Sequence, residues 1–188
     1  MSKKYLVVSD NHGGLKNLKN VITVMGKNFD GVVHCGDIEF SVEELEDMMG
    51  CPVHAARGNC DFMFDRDRGR EDLFELDDHH VALVTHGDRY GVSWNFDMIV
   101  EHAMEMGADV VFYGHTHRPA YYEMEYDEGI ITLMNPGSIE LPRQFEPYGP
   151  TFAVLHVSDQ GDLTPEYYLI NRRIGGRKIT TFDIEDYQ

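Results

Sequence analysis

The pattern of hydrophobic and polar positions divides the chain into an alternating first half and a second half made of strands. The runs YLVV at 5–8 and GVV at 31–33 are short and apolar, which is typical of buried parallel strands. Between them, apolar residues recur at helical spacing, at Leu15, Leu18, Val21, Ile22 and Met25. The chain therefore begins with a predicted strand, helix and strand.

Two more helices are predicted further along. The segment 41–49 can begin with Ser41 as its N-cap and with Glu44 three residues later, which is the pattern of a capping box. The segment 93–106 is apolar on one face and ends at Gly107. The apolar runs around these helices predict further strands, at 52–57, 73–77, 80–87 and 109–115.

From Ala120 onward the chain reads as antiparallel hairpins. One hairpin is predicted from 120–126 and 130–135, and a second from 151–158 and 163–171, each with a turn that contains glycine. A last edge strand is expected near 178–182. Since no linker or repeat separates the two halves, we expect one α/β domain over residues 1–188, with two layers of sheet.

Charge and composition narrow the classes of partner. The chain has 33 acidic against 16 basic residues and a net charge of -17, so long nucleic acid and anionic membranes are disfavoured as partners. No apolar run approaches the ~18 to 20 residues of a membrane-spanning helix. The first residues lack the apolar core of a signal peptide, and the three cysteines are irregularly spaced. We therefore expect a cytoplasmic protein with reduced thiols.

Seven side chains that suit a metal ion come just after the apolar runs. They are Asp10, His12, Asp37, Asn59, His86, His115 and His117. The carboxyl ends of parallel strands lie at one edge of a sheet, so these residues should meet in space. Each short motif alone is ordinary turn sequence, but five of them follow strand-like runs. The set exceeds the four ligands of a structural zinc site and suits two ions that share a carboxylate.

These motifs resemble the signature of the calcineurin-like metallophosphoesterases. The five blocks occur in order as Asp10-Asn11-His12, Gly36-Asp37, Gly58-Asn59-Cys60-Asp61, His86-Gly87 and Gly114-His115-Thr116-His117. The segment MNPGSIELPR at 134–143 is similar to the small phosphodiesterase branch that includes bacterial and archaeal members and the eukaryotic retromer subunit. The resemblance implies a four-layer αββα sandwich of two mixed β-sheets flanked by helices.

The resemblance also implies a ligand set and a reaction. One ion would be held by Asp10, His12 and His117 and the other by Asn59, His86 and His115, with Asp37 between them. Mn²⁺ is our first expectation, with Fe, Co, Ni or Zn as alternatives, because mixed oxygen and imidazole ligands suit all of them. A hydroxide held between two such ions hydrolyses phosphate esters without a protein nucleophile. The implied activity is a metal-dependent phosphodiesterase acting on a small-molecule phosphate ester.

Several further residues are assigned roles around this centre. Asn59, Cys60, His115 and Asp37 form the predicted catalytic set, while Asn11 and Arg143 are candidate phosphate contacts. Cys60 stands where the family often has a histidine near the leaving group, which predicts a preference for esters with good leaving groups. Asp61 would orient a histidine or cap the turn. The other histidines are expected in the sheets (His34, His54 and His156) or on the surface (His79, His80 and His102).

Three alternative functions stay open. The retromer subunit works mainly as a protein-interaction platform, so a non-catalytic, metal-binding scaffold of the same fold is the alternative from another class. A phosphomonoesterase and a nuclease are alternatives within the enzyme class, although the negative charge of the chain disfavours the nuclease. The aromatic strand near Tyr121 and Tyr122 could form a homo-oligomer interface.

Overall fold

The computed structural model describes residues 1–63, 68–127, 129–142, 149–173 and 176–187. Within these residues the chain forms three α-helices, α1 (Lys16–Met25), α2 (Val42–Met49) and α3 (Asp97–Met106). It also forms eleven strands, β1 (Lys3–Val8), β2 (Gly31–His34), β3 (Val53–Ala55), β4 (Glu71–Glu75), β5 (Val81–Thr85), β6 (Val110–Phe112), β7 (Pro119–Tyr126), β8 (Gly129–Pro136), β9 (Thr151–Val157), β10 (Leu163–Arg173) and β11 (Gly176–Phe182).

The strands make two mixed sheets. The six-stranded sheet has the order β11-β10-β9-β1-β2-β3, in which β1, β2 and β3 are parallel and β9 returns antiparallel to β1. The five-stranded sheet has the order β4-β5-β6-β8-β7, with β5, β6 and β8 parallel and antiparallel strands at both edges. The predicted hairpins and the predicted edge strand near 178–182 are therefore confirmed.

Alternation along the strands builds four layers. In β1, Tyr5 and Val7 lie in the core between the two sheets, while Leu6 and Val8 lie in the core beneath α1 and α2. In β6, Phe112 faces the first of these cores and Val111 faces α3. Both faces of each sheet are thus covered, which explains why its parallel strands read as continuous apolar runs. The αββα sandwich predicted from the sequence is confirmed.

The helix ends show where local chemistry decides the boundary. The N-cap of α2 is as predicted, since Ser41 Oγ accepts a hydrogen bond from the amide of Glu44 at 3.1 Å. Helix α3 begins at Asp97, four residues later than expected. The side chain of Asn95 accepts from the amide of Asp97 at 3.3 Å, and Trp94 closes a turn onto the carbonyl of Gly91 at 2.8 Å. These turn contacts replace the first helical turn.

None of the helices in the described part of the chain combines the length and the apolar composition that crossing a membrane requires.

Two histidines expected at the surface are partly buried instead. His102 contacts Glu71 at 3.1 Å, and His80 sits between the two sheets. His79 is exposed, as expected. The partners of His80 and His102 come from distant segments, so their burial has no local signal in the sequence.

His80 links the sheets as a cation. Its Nδ1 donates to the carboxylate of Asp109 at 2.6 Å and its Nε2 donates to the carbonyl of Gly161, in the turn between β9 and β10, at 2.8 Å. Since both partners accept, both ring nitrogens carry a proton. Burial lowers the pKa of His80, but the contacts with Asp109 and Gly161 and the charge of Asp77 outweigh it and raise that pKa above its ordinary value.

We expect His80→Gln to lower the free energy of unfolding by about 1 kcal/mol in mildly acidic solution, because the pair is partly open to solvent. A raised pKa in the folded state gives stability that is fully present below the unfolded pKa of about 6.5 and is lost as the pH rises through the folded pKa. Urea denaturation of both proteins across this range measures the difference. His156→Gln, which breaks an exposed pair with Glu166, is the control. A difference independent of pH would contradict the charged link.

Candidate metal centre

The candidate ligands lie where the parallel strands end. Asp10 and His12 follow β1, Asp37 follows β2, His86 follows β5, and the GHTH motif follows β6. Six residues here, among the described ones that are not glycine, have a positive φ, which L side chains rarely adopt: Asp10, His12, Asp37, Glu39, His115 and His117. Such strain persists where the surrounding structure holds it, and it is concentrated at functional sites.

Asp10, His12 and His117 form the first half of the centre. His117 Nε2 lies 3.0 Å from Asp10 Oδ1, and His12 Nε2 lies 3.4 Å from His117 Nε2 and 3.9 Å from Asp10 Oδ1. The donor atoms of these residues all lie within 4.8 Å of one another. This is the set that the sequence assigned to one ion.

Asp37 joins this half to the second. Its Oδ2 lies 3.4 Å from His86 Nε2 and 3.9 Å from His12 Nε2, so one carboxylate oxygen faces an imidazole of each half. Its other oxygen, Oδ1, accepts a hydrogen bond from the amide of Cys60 at 2.8 Å. A carboxylate anchored through one oxygen, with the other between two imidazoles, has the arrangement that a bridging ligand needs.

Three imidazoles are anchored through Nδ1. His86 Nδ1 donates to the carbonyl of Cys35 at 2.7 Å, His12 Nδ1 contacts Glu39 Oε1 at 2.9 Å, and His117 Nδ1 contacts the carbonyl of Leu141. Because a carbonyl or a carboxylate only accepts, Nδ1 carries a proton in each ring, and Nε2 presents a lone pair once it is deprotonated, as metal binding requires. Each of these lone pairs faces a carboxylate oxygen of the centre.

The residues fit divalent metal ions. Among the described residues, Asp10 Oδ1 and His86 Nε2 are buried and lack a well-directed hydrogen bond, although His117 Nε2 and Asp37 Oδ2 face them at 3.0 and 3.4 Å. Lone pairs that face carboxylate oxygens repel one another unless a cation or a proton lies between them. A buried set of carboxylates and imidazoles is the donor set that Mn, Fe, Co, Ni and Zn accept. Several donors converge on the same space, so a cation satisfies more of them than a proton does.

The pKa values of the ionisable side chains in this cluster are set by burial and by the charges of their neighbours. Burial alone would lower the pKa of His86, but its contact with Asp37 and the negative charge of Asp10 raise it to about 9. Burial raises the pKa of Asp10, but its contacts with His117 and the charge of His86 outweigh that effect and lower the pKa below the usual range. Burial likewise raises the pKa of Asp37, but its contacts with His86 and Cys60 outweigh that effect and lower this pKa as well. The carboxylates are therefore charged and the site attracts cations.

The remaining predicted ligands lie beside this cluster. The ring of His115 meets the ring of His86 edge-on at 5.2 Å between centroids, and its amide donates to Asp10 Oδ2 at 3.3 Å. Asn59 is exposed and its Nδ2 contacts Cys60 Sγ at 3.3 Å. Cys60 is exposed, and its amide binds Asp37. The roles of these three residues as ligands or catalytic groups stay predictions.

The two candidate phosphate contacts have different positions. Asn11 is buried; its Nδ2 donates to the carbonyl of Gly14 at 2.6 Å and its Oδ1 contacts His34 Nε2 at 2.8 Å. The side chain therefore already bonds within the protein, and a phosphate contact through it stays a prediction. Arg143 lies outside the described residues. His34 is buried as expected, and burial lowers its pKa to about 3, so it is neutral.

Glu39 is a residue that the sequence reading missed. It faces His12 Nδ1, and its own amide donates to Asp61 Oδ1 at 2.7 Å, while Asp61 Oδ2 accepts from the amide of Gly58 at 2.9 Å. Asp61 thus holds two turns together, as one of its two predicted roles required. The signal for Glu39 was its spacing, because Asp37-x-Glu39 repeats the two-residue step of Asp10-x-His12 and His115-x-His117.

This fold and this cluster define a metallophosphoesterase. The chain belongs to the calcineurin-like phosphoesterase superfamily, whose domain profile matches residues 4–160. It is 34% identical over 140 residues to a probable metallophosphoesterase of Bacillus subtilis, an alignment covering 73% of this chain and 76% of that protein. It is 28% identical over 148 residues to a phosphodiesterase of Methanocaldococcus jannaschii, covering 70% of this chain and 81% of that protein.

The fold also matches that of Vps29. The solved structure of Vps29 from Chaetomium thermophilum superposes with a TM-score of 0.71 at 17% identity, covering 96% of this chain and 94% of that one. At this identity the match shows the fold alone. The predicted family and its predicted relation to the retromer subunit fold are confirmed. Members of the family bind divalent metal ions, and the Asp and His clusters described above could hold them.

Proposed function

We propose that the protein is a dinuclear, metal-dependent phosphodiesterase that hydrolyses a small phosphate ester. The observation that carries the proposal is the set of three imidazoles, His12, His86 and His117, each anchored through Nδ1 and each presenting Nε2 to carboxylates. The relative from Methanocaldococcus jannaschii that is named a phosphodiesterase supports the diester preference. The expected location is the cytoplasm, and the three free thiols of Cys35, Cys51 and Cys60 are consistent with it.

Different residues would hold the two ions of such a centre. Asp10, His12 and His117 would hold one ion, His86, His115 and Asn59 the other, and Asp37 would join the two. When bound, two divalent ions supply a water nucleophile at neutral pH and polarise the phosphoryl oxygens. The backbone bonds that hold Asp37 and Asp61 fix the spacing of the two halves before substrate arrives, which preserves the orientation that hydrolysis needs.

A metal-reconstitution assay tests the proposal. The purified protein is stripped with a chelator and then assayed on bis-p-nitrophenyl phosphate and on p-nitrophenyl phosphate, with and without added Mn²⁺. We expect hydrolysis only with the metal and faster hydrolysis of the diester. A faster monoester reaction would favour the phosphomonoesterase alternative. Absence of turnover with Mn, Fe, Co, Ni and Zn would refute the enzyme and favour the scaffold, whose fold this chain shares with Vps29.

Cys60 bears on which esters react. In the metal-free protein, local desolvation of the thiol, together with hydrogen bonding and charge from Asp37 and the charges of Glu39 and Asp61, raises the pKa of Cys60 to about 12, although the residue as a whole is exposed. Such a thiol keeps its proton at neutral pH and is a poor acid for a departing alkoxide. The chain therefore lacks, at this position, the imidazole that would protonate a poor leaving group.

We expect Cys60→His to raise kcat/KM about tenfold or more on esters with poor leaving groups, because an imidazole is the better proton donor near neutral pH. Activity on p-nitrophenyl esters should change little. Rates on a series of aryl and alkyl diesters measure the dependence on the leaving group. Cys60→Ala, which removes the thiol without adding a donor, is the matched control. Equal specificity in all three proteins would show that Cys60 does not influence the leaving-group preference.

A further inference from the structure

Glu39 shares an unusual backbone geometry with the candidate ligands. Its φ is 58°, and it forms with Asp37 one of three pairs among the described residues, two positions apart, in which both members have a positive φ. The other two pairs are Asp10 with His12 and His115 with His117. The five remaining members are all candidate ligands. A positive φ costs conformational free energy in a glutamate, and residues with such strain cluster at functional sites. This geometry therefore points to a role for Glu39.

The side chain of Glu39 contacts one ligand directly. Its Oε1 accepts from His12 Nδ1 at 2.9 Å, and both side chains are largely buried, at 24% and 17% exposure. This bond fixes the tautomer of His12, since the proton resides on Nδ1 and the lone pair on Nε2. Nε2 then faces the carboxylates of Asp10 and Asp37, each at 3.9 Å.

The acceptor distinguishes His12 from the other anchored imidazoles. His86 and His117 donate Nδ1–H to backbone carbonyls, of Cys35 and Leu141, which are neutral. His12 donates to a carboxylate. A negatively charged acceptor attracts the Nδ1 proton more strongly than a neutral carbonyl does and increases the electron density on the opposite nitrogen. The donor strength of His12 therefore depends on a second side chain, Glu39.

The backbone around Glu39 holds it against His12. The amide of Glu39 donates to Asp61 Oδ1 at 2.7 Å, and Asp61 is buried. On the other side, the amide of His12 donates to the carbonyl of Asp37 at 2.9 Å and that of Gly13 donates to the carbonyl of Ile38 at 3.1 Å. The loop after β2 is thus bonded to the loop after β1 through two amides and to Asp61, after β3, through a third.

We propose that Glu39 is a positioning residue for His12, which fixes the metal-binding tautomer of that ring and strengthens the hold of the Asp10, His12 and His117 half on its ion. The role goes beyond the ligand set, since Glu39 acts through His12. It rests on the proposed metal centre, and the test below separates the two.

The first readout needs no metal. Long-range ¹H–¹⁵N correlation of the ring nitrogens, recorded on metal-free protein in alkaline buffer, reports which nitrogen of His12 carries the proton. We expect the Nδ1–H form in the wild type and a shift toward the Nε2–H form in Glu39→Ala. Glu39→Gln, whose amide oxygen can still accept, should keep the Nδ1–H form. An unchanged Nδ1–H form in Glu39→Ala would overturn the proposal.

The second readout is Mn²⁺ binding by calorimetry. We expect Glu39→Ala to lower the affinity for one of the two ions about 10- to 100-fold and to leave the affinity for the other unchanged. The affinity of Glu39→Gln should lie between those of Glu39→Ala and the wild type. The matched control is Asp72→Ala, which removes the carboxylate 3.0 Å from His54 Nδ1, a pair away from the centre. Wild-type affinities for both ions in Glu39→Ala would also overturn the proposal.

The two readouts keep the failures distinct. If the wild type bound no divalent ion, the proposed function would fail, while the tautomer of His12 would still decide the role of Glu39. If Glu39→Ala did not fold, the near-isosteric Glu39→Gln would serve as the test variant. Weaker binding of one Mn²⁺ ion, with the Nδ1–H form of His12 retained, would support the proposal. Wild-type affinity for both ions would contradict it.

Discussion

Asp37→Asn abolishes metal-dependent hydrolysis in our expectation, with kcat lower by about 10³-fold or more. The carboxylate lies between His86 and His12, and its loss removes the charge that faces both halves. A metal centre contributes several kcal/mol to the transition state, and each 1.4 kcal/mol is a factor of about ten in rate. The fold should persist, because the amide oxygen of Asn can still accept from the amide of Cys60.

The measurement is kcat on bis-p-nitrophenyl phosphate at saturating Mn²⁺, with thermal unfolding of the same samples. Asp47→Asn makes the same chemical change at an exposed site on α2 and should leave the rate unchanged. His115→Ala should behave like Asp37→Asn. Full metal-dependent turnover in Asp37→Asn and His115→Ala, with both folded, would show that the assigned residues are not the catalytic centre.

Gly58→Ala should damage both the centre and the fold. A Cβ at this position would overlap Asp37 Oδ1 and come within 2.6 Å of the amide nitrogen of Asp37. The turn cannot retreat easily, because the amide of Gly58 is bonded to buried Asp61 and a neighbouring turn packs on it at Gly36. Overpacking in such a place costs about 3 kcal/mol of stability. It also moves the carboxylate that faces both halves of the centre.

Urea denaturation and the rate with Mn²⁺ together check this expectation. Gly91→Ala serves as the control: Gly91 has a φ of 63° and open space where a Cβ would point, so the change carries a backbone cost of about 1–2 kcal/mol without a collision. We expect Gly58→Ala to lose stability and turnover, and Gly91→Ala to keep its turnover. A stable and fully active Gly58→Ala would contradict the tight approach of the two turns.

The sequence could predict those elements of the fold that produce a local pattern of apolar and polar residues. Val7 and Val8 lie in different cores, so the strand that contains them is apolar throughout and easy to recognise. The candidate ligands could be predicted because each follows such a strand directly. Helix α3 was placed too early because its apolar face continues to Phe96, whereas the Asn95 side chain forms a competing turn.

Contacts between distant residues could not be predicted from local pattern. Glu39 meets His12 across 27 positions, and His80 meets Gly161 across 81. Asn11 looked available for a phosphate because its contact with His34, across 23 positions, has no signal in the sequence. In each case a polar side chain gains its role from a partner that only the folded chain brings close. Periodicity reports which face of an element is buried, but not which polar group it meets there.

The position of β1 in the centre of its sheet has a consequence for the order of folding. Lys3 lies opposite Val157 on one side, and the loop after β1 is closed by Ser138 Oγ, which donates to the carbonyl of Asp10 at 2.9 Å. The pairing of β1 is therefore complete only after contacts with residues as far along the chain as Val157 have formed. Long-range pairing of this kind slows folding. The edge of the sheet where Asp10 lies is therefore complete only when segments 128 positions apart have come together.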